Sequence, residues 1–323
     1  MAAPDSRPAS LVGRRRFLMG ALGGAAGLAT LGLGGCGSSN TGSGGEAGAR
    51  PELVALFSPN RVIAAGRRQR IPFAVVDTGA VAVADTAELA VRVLLDGELV
   101  ETGTVTGRVV DHDHGPGEDG PDHQHSDLLR YFALRAELPR PGIYDLEVSF
   151  GDGVTATLPV QAFDPDEIEV VLPGEAMPAL ATSTTARPEG VDPLCSLAPE
   201  PCPFHHVSLD EALASGRPVA YLVATPAFCS TAYCGPVLET LLAAAPDHPD
   251  IAVIHQEVYA NASEVGGNYA DPGIERAAPL VALGLDFEPS LFLVDGGGTV
   301  IDRIDNVFSG DELEAALVAL DPG

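Results

Sequence analysis

The first half of the chain is dominated by short segments in which apolar and polar positions alternate. Apolar residues recur at every second position in residues 89–95, which end at Asp96-Gly97, and again in residues 144–150 and 154–160. This period of two is that of a strand with one buried face, and Asp-Gly pairs favour hairpin turns. The pattern predicts an antiparallel β-sandwich over residues 51–165.

After residue 205 the pattern changes to apolar runs that alternate with segments of helical spacing. Ser208-Leu-Asp-Glu211 is a capping-box signature, which predicts the start of a helix. The predicted elements are a helix from 208 to Gly216, a strand at 218–224, a helix at 235–245, a strand at 251–258, a helix at 279–283, strands at 291–294 and 299–304, and a helix from 309. Helices and strands in this order predict an α/β domain over residues 205–323.

Residues 1–36 are typical of an export signal rather than of folded structure. Arg14-Arg15-Arg16-Phe17-Leu18 resembles the twin-arginine pattern and precedes an apolar region rich in Gly, Ala and Leu. That region is too short and too rich in glycine to predict a membrane span. The leader therefore indicates export of the chain.

The leader ends in Leu33-Gly34-Gly35-Cys36, which resembles a bacterial lipobox. The resemblance implies that Cys36 becomes the first mature residue and carries a lipid. An ordinary cleaved signal with an incidental cysteine is the alternative. Residues 37–50 are rich in Gly and Ser and are expected to form a flexible tether. We therefore expect a lipid-anchored protein on the extracytoplasmic face of the cell membrane.

The charge of the chain limits its partners. Its 323 residues include 18 basic and 45 acidic side chains, a net charge of −27. Such a charge repels phosphate backbones, which argues against nucleic acid as a partner. The length allows two domains after the leader. Residues 166–204 are rich in proline and lack periodicity, so we expect them to be a linker.

Beyond Cys36 the chain has four cysteines, at positions 195, 202, 229 and 234. Four cysteines allow three pairings, and the sequence alone does not choose among them. Pairing of near neighbours, Cys195 with Cys202 and Cys229 with Cys234, is the simplest arrangement. Disulfides persist outside the cytoplasm, where we expect this protein to be.

The prolines between Cys195 and Cys202 favour a structural disulfide between these two residues. His205 and His206 follow directly, so a Cys/His metal site is the alternative. Four well-spaced ligands are not evident in the sequence, and the disulfide is therefore the preferred interpretation.

A second group of histidines lies in an acidic insertion of the β domain. Imidazole and carboxylate groups in such a loop can bind zinc, copper or nickel. The simpler interpretation is a solvated loop between two strands, because Gly and Pro interrupt it repeatedly. We expect no metal there, and the candidate ligands are His112, His114, His123 and His125.

The main candidate for chemistry is the stretch from Thr225 to Val237, which contains Cys229 and Cys234. It lies between a predicted buried strand and a predicted helix. The thiolate is the reactive form of cysteine, and the free N–H groups of a helix start lower a thiol's pKa. The following Gly235-Pro236 suits a first helical turn.

This stretch resembles the active site of thioredoxins. Tyr233-Cys234-Gly235-Pro236-Val237 is similar to the family's active-site sequence, with tyrosine in the tryptophan position. The segment 284–296 is similar to the family's glycine, cis-proline and following strand, with Pro289 as the cis-proline. The resemblance covers residues 205–323 and implies a thioredoxin-like α/β fold.

The resemblance implies a thiol–disulfide oxidoreductase that needs no cofactor and acts on thiols and disulfides of extracytoplasmic proteins. Cys234 would attack a partner's disulfide or donate its own disulfide to a partner. Cys229 would then resolve the mixed disulfide. The positions assigned to substrate binding are Tyr233, Gly235, Pro236 and Pro289.

The first half carries a separate resemblance. Pro141-Gly142-Ile143-Tyr144 is similar to the edge strand of bacterial immunoglobulin-like modules. The chain is therefore expected to combine an all-β immunoglobulin-like sandwich, acting as a spacer or partner-binding module, with the α/β domain.

The departures from thioredoxin leave other functions open. Val237 stands where thioredoxins have their second cysteine, and Cys229 lies five residues upstream of Cys234 instead. A structural disulfide on a non-catalytic binding scaffold is one alternative. Copper chaperones with a thioredoxin fold are a weaker resemblance, because His255 lies on a predicted strand and is interpreted as a packed residue.

A thiol peroxidase is the remaining alternative. Thr225-Pro226 and the two cysteines resemble single-helix two-cysteine peroxiredoxins, in which Cys229 would be oxidised and Cys234 would resolve it. Arg276 or Arg303 would then supply the family's arginine, and nothing in the spacing selects either.

Overall fold

The computed structural model describes residues 51–320 apart from 78–79, 82–87, 111–128, 152, 230, 232, 267 and 269. The expected signal and tether, including Cys36, lie outside these residues. So do the candidate metal ligands of the acidic insertion, which are His112, His114, His123 and His125.

The first half of the described chain consists of strands that form two antiparallel sheets. One sheet has the order β5-β4-β8-β9, and the other has the order β1-β2-β7-β6 with β3 beside β2. The strands are β1 (Pro51–Ala55), β2 (Arg68–Asp77), β3 (Ala80–Val81), β4 (Glu88–Leu95), β5 (Glu98–Thr106), β6 (Arg108–Val110), β7 (Leu129–Glu137), β8 (Gly142–Ser149) and β9 (Thr155–Ala162).

Alternation in the sequence becomes alternation of burial in these strands. In β4 every second residue is buried, and in β8 Tyr144, Leu146 and Val148 are fully buried. These side chains share one core with Ile71 and Phe73 of the opposite sheet. The two sheets therefore enclose a common apolar layer, as predicted for a sandwich.

The predicted hairpin at Asp96-Gly97 joins β4 to β5. Both residues have positive φ, 54° for Asp96 and 80° for Gly97. This is the conformation that two-residue hairpin turns require, and Asp-Gly adopts it readily. The turn prediction is confirmed.

The last third of the chain alternates helices and strands in the predicted order. The Glu211 carboxylate accepts a hydrogen bond from the Ser208 backbone N–H at 3.2 Å, as expected for the predicted helix start. The elements are α1 (Leu209–Ala214), β10 (Val219–Val223), α2 (Cys234–Ala244), β11 (Ala252–Gln256), α3 (Ala278–Ala282), β12 (Ser290–Val294), β13 (Val300–Asp305) and α4 (Gly310–Leu320). None of the described helices is long and apolar enough to cross a membrane.

The four strands of this part form one mixed sheet with the order β11-β10-β12-β13. Strand β10 is parallel to β11 and antiparallel to β12. Every residue of β10 and β12 is buried, because apolar layers cover both faces of these central strands. The continuous apolar runs in the sequence reflect this double burial.

Residues 166–204, the expected linker, are irregular but packed against the α/β part. Val170, Val171 and Met177 belong to the core on one face of the mixed sheet. Cys195 and Cys202 belong to the core on the other face. The segment therefore contributes to both apolar layers.

The sandwich and the α/β part are joined by buried arginines. Arg70 of β2 forms an ion pair with Glu312 of α4, with Nε–Oε1 at 2.8 Å. Arg303 of β13 donates to the Val62 carbonyl at 2.9 Å. The described residues of the two parts therefore pack as one compact unit.

Candidate functional site

The candidate site lies at one end of the mixed sheet. Val223, the last residue of β10, pairs with Gln256 of β11 and with Ser290, the first residue of β12. The loop that carries the cysteines follows β10, and Pro289 directly precedes β12. The sheet therefore brings the cysteine loop and Pro289 to the same edge.

Cys229 and Cys234 form a disulfide with a Cα–Cα distance of 6.1 Å. Cys234 is the first residue of α2 and is fully buried. Cys229 is only partly buried, and its Sγ lies 3.3 Å from Thr231 Oγ1. Cys229 is therefore the more exposed residue of this disulfide.

The four positions assigned to substrate binding differ in exposure. Tyr233 precedes α2 and packs against a cluster of Leu56, Ala74, Val110, Tyr131 and Val307, where burial raises the pKa of its hydroxyl. Pro236 and Pro289 are buried, and Gly235 is partly exposed. The Glu288–Pro289 peptide bond is cis, as the thioredoxin resemblance implied, and the Pro289 carbonyl accepts from the Asn306 N–H at 2.8 Å.

Cys195 and Cys202 do not form the expected structural disulfide. Both are free thiols and both are buried. The Cys202 backbone N–H donates to Cys195 Sγ at 3.3 Å, which places the two side chains on the same side of their loop. The disulfide prediction was wrong: the two thiols share a hydrogen bond with each other, and each sulfur also faces an imidazole nitrogen.

The imidazoles that face these thiols belong to His205 and His255. Cys202 Sγ lies 3.3 Å from His205 Nε2 and 3.3 Å from His255 Nδ1, and Cys195 Sγ lies 3.7 Å from His255 Nδ1. The four potential ligand atoms lie within 4.8 Å of one another, and all four residues are buried. We call this group the Cys/His cluster.

Hydrogen bonds and burial shift the pKa values of the two cluster thiols in opposite directions. The hydrogen bond from Cys202, together with the two imidazoles, lowers the pKa of the Cys195 thiol, and the same bond and burial raise that of Cys202. Burial lowers the pKa of His255, but its bond to Cys195 and the nearby Glu257 carboxylate outweigh this, so its pKa is raised. Burial raises the pKa of Glu257.

The Cys/His cluster is connected to the disulfide loop through Ser196. The Ser196 backbone N–H donates to Glu257 Oε1 at 2.6 Å, and Ser196 Oγ accepts from the Ala227 N–H at 3.1 Å. Ala227 lies two residues before Cys229. Ser196, beside a cluster thiol, therefore contacts both Glu257, which directly follows β11, and the disulfide loop.

Sequence reasoning found two cysteines and one histidine of this cluster but not its fourth member. His255 was assigned as a packed strand residue, and His206, the other candidate, is exposed. The signal that was available is the Cys-x6-Cys-x2-His spacing. The fourth residue comes from β11, which only the folded sheet brings close.

Comparisons with known proteins add little to this geometry. No protein-family model matches the chain, and no curated protein matches it. Among solved structures, a conjugative transposon lipoprotein from Bacteroides eggerthii aligns with 35% of this chain and 97% of its own, at 11% identity and a TM-score of 0.17. A TM-score this low carries no argument about fold, anchoring or function.

Proposed function

We propose that this is an exported, lipid-anchored thiol–disulfide oxidoreductase that acts on thiols and disulfides of extracytoplasmic proteins. The observation that carries the proposal is the Cys229–Cys234 disulfide. It joins an accessible sulfur in a loop to a buried sulfur at the start of a helix. Exchange chemistry requires these features: one sulfur open to attack and one thiolate that leaves readily.

The topology supports a thioredoxin-like fold for residues 205–323. The order β11-β10-β12-β13, with only β11 parallel to β10, agrees with the resemblance in the active-site sequence. The cysteines follow β10, and Pro289 precedes β12 at the same sheet edge. These positions support the thioredoxin-like assignment.

The structure of the first half of the chain supports its assignment as an immunoglobulin-like sandwich. Its two antiparallel sheets share one core, and the Tyr144 hydroxyl donates to the Arg140 carbonyl at 2.7 Å. A buried tyrosine that bonds to the backbone a few residues upstream is a feature of many immunoglobulin-like domains. We assign this half the role of a spacer or partner-binding module.

The difference in burial supports Cys229 as the sulfur that reacts with the partner. A partner thiolate attacks Cys229 Sγ, the S–S bond to Cys234 breaks, and Cys234 leaves as a thiolate. The positive end of the helix dipole, at the start of the 11-residue helix α2, stabilises that negative charge. This reverses the roles expected from the sequence, in which Cys234 contacts the partner.

The second step completes a two-electron transfer. A second thiol of the partner attacks the partner's sulfur in the mixed disulfide and releases Cys229 as a thiol. The partner gains a disulfide, and the Cys229–Cys234 pair becomes a dithiol. In the reverse direction Cys229 attacks a partner disulfide and Cys234 resolves the product.

The peroxidase alternative also uses Cys229 as the accessible sulfur. Its expected arginine is less well supported, since Arg276 donates to the backbone carbonyls of Leu285 and Asp286. Arg303 is buried and bound to Asp305, with Nε–Oδ2 at 3.0 Å. Disulfide exchange is therefore the function we propose.

Single-cysteine variants test this assignment. Cys234→Ser should leave a Cys229 thiol that reacts with an aromatic disulfide reagent roughly 100-fold faster than the buried Cys234 thiol of Cys229→Ser. With a peptide disulfide, Cys234→Ser should accumulate a mixed disulfide because the resolving thiol is missing. Both variants should lose insulin reduction. Mass spectrometry of the trapped adduct identifies the sulfur.

The unfolding temperatures of both variants serve as the control for folding, and hydrogen peroxide consumption serves as the control for function. Background insulin reduction by the wild-type dithiol would contradict the proposal and favour a binding scaffold. Rapid peroxide consumption without insulin reduction would favour the peroxidase. A mixed disulfide only at Cys234 would reverse the assigned roles.

A further inference from the structure

The Cys/His cluster presents the donor set of a closed metal site. Two thiols and two imidazoles converge from a loop, which carries Cys195, Cys202 and His205, and from strand β11, which carries His255. We infer that these four residues bind one Zn²⁺ in a tetrahedral, structural site that holds the disulfide loop in place. The inference does not depend on the disulfide being active in exchange.

The spacing of the donor atoms fits zinc. With Zn–S bonds of about 2.3 Å and Zn–N bonds of about 2.0–2.1 Å, the ligands of a tetrahedral site lie about 3.3–3.8 Å apart. Cys202 Sγ lies 3.3 Å from both His205 Nε2 and His255 Nδ1, and Cys195 Sγ lies 3.7 Å from the latter. All pairs of donor atoms lie within 4.8 Å, so small shifts complete the tetrahedron.

A second layer of hydrogen bonds orients His255. Its Nε2 lies 3.0 Å from the Ala224 carbonyl, which can only accept, so Nε2 carries the proton. Nδ1 is then the nitrogen with a free lone pair, and it faces both sulfurs. A backbone carbonyl that fixes the tautomer in this way is typical of zinc-ligating histidines.

The hydrogen bonds of His205 compensate poorly for the cost of burying its imidazole. The residue is 2% exposed, and within the described part of the chain its Nδ1 has no hydrogen-bond partner. Its Nε2 points at Cys202 Sγ, a weak hydrogen-bonding group. Burying an imidazole among thiols is unfavourable unless a stronger bond forms at Nε2, and a metal bond supplies it.

The chemistry of the ligands selects zinc. Two thiolates with two imidazoles in tetrahedral arrangement form one of the common structural zinc sites, and zinc has no redox chemistry of its own. Four protein ligands, all buried, leave no position open for a substrate. In the exported protein proposed above, zinc would also keep Cys195 and Cys202 as thiolates in a compartment that oxidises cysteine pairs.

The position of the site gives zinc a structural role. Zinc would fasten the irregular segment around Cys195 to β11, and Ser196 extends this connection to Ala227 in the disulfide loop. Losing the metal should therefore loosen the loop that carries Cys229. The zinc site and the disulfide are separate in chemistry but linked through one short segment.

Metal analysis of the full-length protein tests the site. Protein purified without chelator should contain about one zinc per chain, with Cys195 and Cys202 present as thiols. Cys195→Ser and His255→Gln should each lower the zinc content at least about tenfold. The matched controls are His206→Gln, at the exposed histidine beside His205, and a Cys229→Ser/Cys234→Ser double variant, both of which should keep zinc.

A wild-type measurement covers the case in which a ligand variant does not fold. After chelation, replacement by Co²⁺ should give the intense visible bands of a tetrahedral cobalt–thiolate site, and a thiol-blocking reagent should release the metal. Absence of bound metal, a second disulfide between Cys195 and Cys202, or copper in place of zinc would each overturn the assignment. Zinc retained in both ligand variants would place the metal elsewhere.

Discussion

Glu312→Gln should lower the free energy of unfolding by about 3–5 kcal/mol, since it breaks a buried ion pair and leaves one charge behind. Arg70 and Glu312 form two parallel bonds, at 2.8 and 2.9 Å, and the Tyr131 hydroxyl donates to the same carboxylate at 2.6 Å. The side chains are 1% and 7% exposed, so water cannot solvate the remaining guanidinium. Urea unfolding of both proteins measures the difference.

The same ion pair should make stability depend on pH. Burial raises the pKa of Glu312, but the positive charge of Arg70 outweighs it, so the folded-state pKa lies below the usual value of 4.5. The contribution of the pair is therefore fully present above about pH 5 and is lost as the pH falls through the folded pKa. The stability difference between wild type and Glu312→Gln should shrink on acidification.

Two controls separate the buried charge from general damage. Replacing both partners, in Arg70→Met/Glu312→Leu, should restore much of the lost stability, because no unpaired charge remains. Arg140→Ala removes an ion pair with Asp96 whose side chains are 63% and 76% exposed, and it should change stability by less than about 1 kcal/mol. Equal losses in Glu312→Gln and Arg140→Ala would contradict the account.

Phe292→Ala should also destabilise the protein by about 3–5 kcal/mol, because it creates a cavity in a fully packed layer. Phe292 lies on β12 in the middle of the mixed sheet, and its ring stacks on Tyr221 with centroids 6.0 Å apart. Both rings are fully buried. Thermal and urea unfolding report the loss.

Conservative and exposed substitutions provide the comparison for this cavity. Phe292→Leu keeps most of the volume and should cost roughly 1 kcal/mol. Val281→Ala, on α3 and 68% exposed, should change stability by less than about 0.5 kcal/mol. A Phe292→Ala protein as stable as Val281→Ala would contradict the tight packing of the layer around Phe292.

Local patterns in the sequence were sufficient to predict the helices and strands of the fold. Alternation around Val91 and Val93 predicted β4, and the Ser208–Glu211 capping box predicted the start of α1. These predictions were correct because the buried face of a strand and the start of a helix are both determined by residues that are close in sequence. The thioredoxin-like and immunoglobulin-like assignments go beyond such signals and remain proposals.

Contacts between distant residues could not be predicted in this way. Arg70 and Glu312 are 242 positions apart, and no local pattern marks either as the other's partner. The full Cys/His cluster could not be predicted for the same reason. Its fourth residue, His255, reaches the cysteine loop only because β11 lies parallel to β10 with His255 opposite Leu222.

The reduction potential of the Cys229–Cys234 pair tests the central claim most directly. Thiol trapping and mass spectrometry across a series of glutathione buffers measure it on the full-length protein. We expect a value between about −120 and −270 mV, the range of pairs that exchange with other proteins. A value well below roughly −300 mV would mark a structural disulfide and contradict the proposed exchange function.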